Sequence, residues 1–177
     1  MKRILVSLVI LTTILNVSAQ GYVGGTVGFS STQVSGGDAT TTLQILPEAG
    51  YSINSNWAIG AVLSYQKGAI SLLGKSVNDS DATKFTFSPY ARYTAFKSEL
   101  VNVFIDGGLG YGNLNVYSSN YTYLQVGFNP GVSVNLNKHL SLVGKFGFLG
   151  YQKLDDVSVF GVTLDGNNMS FGLYYSF

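Results

Sequence analysis

Bulky apolar side chains occupy every second position at the end of the chain. Met169, Phe171, Leu173, Tyr175 and Phe177 alternate with Ser170, Gly172, Tyr174 and Ser176. A period of two is that of an extended strand, whose successive side chains point to opposite faces. The same alternation recurs upstream. Trp57, Ile59, Ala61, Leu63 and Tyr65 form one set, against Ala58, Gly60, Val62, Ser64 and Gln66. The first set is apolar and ends in an aromatic residue on both sides, the pattern of a lipid-facing strand with a girdle residue at each interface.

Segments starting near Gln20, Thr42, Phe85, Val101, Tyr123 and Leu140 share this phase, so the expectation is eight strands of roughly ten residues, enough to cross a bilayer at a tilt. In the seventh, Leu140, Leu142, Gly144, Phe146 and Phe148 are read as the outward set, with Lys145 and Leu149 inward. Pro47, Pro89 and Pro130 fall inside strands, where a missing N–H interrupts the ladder, so each is expected to mark a bulge or bend. Short connections at 54–56, 96–99 and 137–139 alternate with longer polar ones at 31–41, 67–82, 112–120 and 153–166. This sidedness predicts periplasmic short turns and termini, with the longer loops outside.

Composition supports the same class. Charged residues make up 11% of the chain and aromatic residues 14%, against roughly 25% charged in soluble domains. After residue 19 no apolar run suits a transmembrane helix. The first nineteen residues read as a cleavable signal peptide: basic Lys2 and Arg3, an apolar stretch from Ile4 to Leu15, then Val17-Ser18-Ala19. Cleavage is expected between Ala19 and Gln20, leaving residues 20–177 as the barrel domain. The mature chain then carries eight Lys+Arg against nine Asp+Glu, a net −1. That offers no electrostatic footprint for nucleic acid. With no cysteine there is neither a disulfide framework nor a thiolate metal site.

Ala49-Gly50-Tyr51 followed by Asn56-Trp57-Ala58-Ile59-Gly60 resembles a hairpin of the Bacteroidetes-type outer membrane protein beta-barrel domain family. So do Ser88-Pro89-Tyr90-Ala91-Arg92-Tyr93, Asn129-Pro130-Gly131-Val132-Ser133 and the ending Phe171 to Phe177. The resemblance implies an eight-stranded, OmpA/OmpX-like porin-family barrel of a Gram-negative outer membrane, and it implies no activity. Phe171, Leu173, Tyr175 and Phe177 also resemble the C-terminal signal read by the barrel-insertion machinery. The expected partners are that machinery during biogenesis, outer-membrane lipid and lipopolysaccharide. The barrel is expected as a monomer.

Four charges fall on inward positions: Glu48, Arg92, Asp106 and Lys145. They sum to zero, and unpaired charge in a narrow lumen is costly, so a hydrogen-bonded plug is expected. A gated ion path is the alternative. His139, the only histidine, is read as a solvated turn residue. Asp79, Asp81, Asp155 and Asp156 are read as solvated loop charge, and Tyr117, Tyr121 and Tyr123 as interface girdle. No residue set argues for catalysis, a cofactor or a transition metal. The leading reading is a structural or interaction barrel of the envelope; a narrow pore is the runner-up. A soluble lipocalin-like barrel is the structural competitor, because alternation alone does not tell inside from outside.

Overall fold

Asparagine and serine make the short turns. Asn54 Oδ1 accepts from the backbone N–H of Asn56 and Trp57, both at 2.9 Å. Asn137 Oδ1 does the same for His139 and Leu140 at 2.8 and 2.9 Å. Ser98 Oγ accepts from Val101 N at 2.9 Å. Such local bonds let the side chain stand in for backbone at a reversal, and the turn then sets the register of the strands it joins.

The strands are β1 (Gly21–Gln33), β2 (Ala39–Ser52), β3 (Trp57–Lys67), β4 (Ile70–Leu72), β5 (Lys75–Val77), β6 (Thr83–Lys97), β7 (Val101–Val116), β8 (Ser119–Asn135), β9 (Leu140–Phe146), β10 (Phe148–Leu154), β11 (Val157–Thr163) and β12 (Met169–Ser176). They come from a computed structural model that describes residues 20–33, 39–72, 75–77, 79–117, 119–155, 157–164 and 169–177. The expected signal peptide, with Ala19 at its cleavage site, lies outside the described residues.

The sheet is antiparallel and closes on itself. Pairing runs β1–β2–β3–β6–β7–β8, then from β8 to both β9 and β10. β10 pairs β11, β9 pairs β12, and β12 returns to β1. With β9–β10 and β11–β12 each counted as one stave, this is an eight-stranded barrel. A small hairpin, β4–β5, forms a two-stranded sheet of its own.

Orientation decides the lipocalin question. Ile59, Leu63, Phe85, Phe87, Leu109, Phe128, Phe171 and Leu173 are exposed on the outside, while Thr26, Glu48, Ser64, Thr86, Arg92 and Asp106 are buried inside. A soluble barrel would reverse this. An apolar belt of this extent is stable only when covered by something other than water.

The prolines need a correction. At Pro47 and Pro89 the register is unchanged on both flanks. Only the pairs involving Leu46 and Pro47 are missing from the β2–β3 ladder, and those involving Ser88 and Pro89 from β6–β7. Each proline removes a donor without adding a residue, so the strand keeps its phase. At Pro130 the irregularity lies in the neighbouring stave. There β8 pairs Phe128 with Leu149 but Gly131 with Lys145, so one extra residue is accommodated around Gly147, whose φ is +73°. A bulge of this kind flips the faces beyond it. Phe148 therefore points in and Leu149 out, the reverse of the expected assignment. A second bulge lies at Ala95, between Thr94 and Phe96.

The strands also run past the expected ten residues. β7 has 16 and β8 has 17. They meet across residues 117–118, so most of the expected loop 112–120 is paired strand. Likewise β10 and β11 pair through most of 153–163. These extensions rise beyond the apolar belt. Their outward residues, such as Asn113 and Asn115, are polar and exposed while Leu114 and Val116 are buried inside, so the lipid-facing alternation is lost and the sequence resembles loop there.

Candidate functional site

Glu48 on β2, Arg92 on β6, Asp106 on β7 and Lys145 on β9 converge from four staves onto one point in the lumen. Arg92 makes a two-pronged contact with Asp106, Nε to Oδ1 at 2.6 Å and Nη2 to Oδ2 at 2.8 Å. Its Nη2 also reaches Glu48 Oε1 at 2.9 Å. Lys145 Nζ closes the ring, 2.6 Å from Glu48 Oε2 and 3.1 Å from Asp106 Oδ2. The four side chains are at most 12% exposed, and that of Glu48 is fully buried. Each acid therefore meets both bases. Geometry of this quality is what offsets the desolvation of buried ions.

An aromatic shell surrounds the charges, and sequence reasoning did not assign it this role. The Arg92 guanidinium carbon sits 3.9 Å from the Phe104 ring centroid and 5.2–5.4 Å from those of Tyr22, Tyr90 and Tyr174. Ring faces attract such a cation, most when water is excluded. Tyr90 donates its hydroxyl to Glu48 and shares a 2.5 Å bond with the Tyr22 hydroxyl. Arg92 Nη2 donates to the Tyr174 hydroxyl at 3.3 Å. The available signal was the parity of Tyr90, Phe104 and Tyr174, which share the inward phase with the charges. Glycine makes room for the rings. A Cβ on Gly131 would strike the ring of Phe104, and one on Gly50 the ring of Tyr22.

The cluster divides the lumen. Toward the short turns lies an open vestibule of about 670 Å³, lined by serine and asparagine side chains such as Asn102, Asn135 and Ser141, with Arg92 on its floor. Toward the long hairpins the cavities are smaller, about 120 Å³ and, against the cluster, about 40 Å³. That end is covered by an apolar lid. Ala69, Ile70 and Ala82 are almost fully buried, with Ile70 and Ala82 packed together with Leu114 and Val116. Gly68, at φ +105°, turns the chain inward. Thr42 Oγ1 and Gln66 Nε2 then hold the Ala69 carbonyl at 2.9 and 3.2 Å. The expected polar loop 67–82 is thus partly a stopper. Its sequence signal was the apolar run that begins at Ala69.

His139, Asp81 and Asp155 are exposed, as expected of turn and loop residues, and the structure adds contacts to each. His139 is exposed, yet its Nδ1 lies 2.9 Å from the Ser176 carbonyl and its ring stacks on Tyr175 at 5.7 Å. It ties a turn to the closing strand. Asp79 accepts from Tyr117 N and Asp155 from Thr122 N, both at 2.9 Å. Asp81 pairs with Lys67 at 3.6 Å. Asp79 and Asp155 tie neighbouring hairpins together, and Asp81 braces the two ends of its own connection; Asp156 lies outside the described residues. Among the described residues no group of three His, Cys, Asp or Glu side chains is arranged to hold a metal. Tyr117 is at a hairpin tip, Tyr121 packs against the lid and Tyr123 is fully buried, so none is a girdle residue. Phe171, Leu173, Tyr175 and Phe177 line the outside of the closing seam, where Phe177 N donates to the Gly21 carbonyl at 2.9 Å.

Comparison with known proteins fits this architecture. The crystal structure of Neisserial surface protein A aligns with a TM-score of 0.59 at 18% identity, covering 89% of this chain and 97% of that one. The backbone structure of the Yersinia pestis outer membrane protein Ail in a phospholipid bilayer nanodisc aligns at 0.51 with 18% identity, covering 90% and 100%. At such identity the likeness speaks for the fold. No curated protein matches the chain. The outer membrane protein beta-barrel domain matches residues 5–177, and the chain therefore belongs to that family of outer-membrane barrels.

Proposed function

We propose that this protein is a sealed, non-catalytic envelope barrel whose work is done at its ends, by hairpins that contact lipopolysaccharide or external partners. The observation that carries this reading is the double closure of the lumen. A neutral, cross-bonded charge cluster lies below and an apolar lid above. A narrow barrel filled by side chains is a wall, not a conduit. Planar-bilayer recordings test it: wild type is expected to give no channel events. Stepwise conductance in wild type that Glu48→Ala changes would favour the runner-up, a narrow pore.

In this reading both termini and the short turns face the periplasm, and the extended hairpins face outward. The chain lacks cysteine, so single cysteines report cleanly. Tyr117→Cys is expected to react with a membrane-impermeant maleimide on intact cells, and Lys138→Cys only after the outer membrane is permeabilised. The opposite pattern would invert the barrel. The closing strand, ending at Phe177, doubles as the segment offered to the insertion machinery, since an apolar strand edge is recognised by strand addition.

A further inference from the structure

We propose that the chamber between the lid and the charge cluster is an internal binding site for a small inorganic anion such as chloride, held by Lys84. The charge balance of the lumen carries the argument. Glu48, Arg92, Asp106 and Lys145 satisfy one another and sum to zero. Lys84 is a fifth inward charge. It stands on the inner face of β6, opposite Gln66 on β3 and Leu114 on β7. Its ammonium lies 4.8 Å from the ring centroid of fully buried Tyr123. Among the described residues no carboxylate pairs with it. A ring face attracts a cation but does not neutralise it. An unneutralised ammonium in a narrow protein interior is expensive.

The cavity beside Lys84 holds the complementary chemistry. It measures about 120 Å³ and is also lined by Ser64, Thr86, Ser88 and Gln125. Lys84, Thr86 and Ser88 are successive inward residues of β6, and Ser64 lies opposite Thr86. Gln125 Oε1 already accepts from the Tyr123 hydroxyl at 2.8 Å, which leaves its amide N–H groups to donate. The lining contains hydroxyls, amides and ammonium groups and no carboxylate. Both acids of the neighbouring cluster are engaged by Arg92 and Lys145. The volume admits a halide with a few waters and excludes a large organic anion.

An anion that binds only the folded barrel raises its stability by mass action. The test is the thermal unfolding midpoint of the folded full-length protein in detergent, in chloride and in gluconate at equal ionic strength. Wild type is expected to unfold several degrees higher in chloride. Lys84→Met is expected to lose that difference. Lys97→Met, in the vestibule beyond the cluster, is expected to keep it. Ser64→Ala, a milder change, is expected to raise several-fold the chloride concentration that gives the half-maximal shift. The proposal is overturned if wild type shows no chloride dependence, or if Lys84→Met or Ser64→Ala responds as wild type does.

Discussion

Glu48→Gln is expected to cost about 3–5 kcal/mol of folding stability, the range for breaking a buried ion pair by removing one partner. Glu48 receives Arg92, Lys145 and Tyr90, and its side chain has no exposure. Glutamine keeps the shape and removes the charge. Asp106 is then left to balance two buried cations. The loss therefore comes from the charges that remain, more than from the bonds removed. A second substitution separates these effects. Glu48→Gln combined with Lys145→Met leaves the two-pronged Arg92–Asp106 pair as a neutral unit, and more than half of the lost stability is expected to return. Urea unfolding in phospholipid vesicles measures both. A Glu48→Gln barrel within about 1 kcal/mol of wild type would show that the cluster is not the closed unit its geometry describes.

On the outer wall, Ala61→Arg is expected to cost about 2–4 kcal/mol, the range for arginine at the bilayer midplane on a barrel's lipid face. Ala61 lies midway between Trp57 and Tyr65 on the outward face of β3, beside Ala49 and Pro89. No inward route exists for its side chain, because a β-strand fixes the face of every residue. The same substitution at Ser55, in the exposed turn before β3, is expected to change stability by less than about 0.5 kcal/mol. Equal effects at the two positions would mean that β3 does not cross a hydrocarbon layer.

Legibility in the sequence followed the environment of each segment. Where one face meets lipid and the other the lumen, alternation is strong, and strands such as β3 and β12 could be read residue by residue. The four interior charges were found the same way, because Glu48, Arg92, Asp106 and Lys145 share the inward phase. The hairpin ends were not legible: beyond the membrane the outward residues of β7, such as Asn113 and Asn115, meet water, and the apolar residues there, Leu114 and Val116, lie on the inward face under the lid. Gly147 was not legible either. A single left-handed glycine shifts the phase by one residue and carried Phe148 inside. The prolines misled in the other direction, since Pro47 and Pro89 remove a donor without disturbing register. The aromatic shell around Arg92 was present as parity but lacked a reason. That reason appears only when Tyr22, Tyr90, Phe104 and Tyr174 are brought from four different strands onto one guanidinium.

The central claim is that the apolar face is the outer face and meets lipid. Cell fractionation with heat-modifiable gel migration tests it most directly. The account predicts a protein found in the outer-membrane fraction, released only by detergent, and migrating faster unheated than after boiling. A protein recovered from the periplasm without detergent, with the same migration before and after heating, would contradict it.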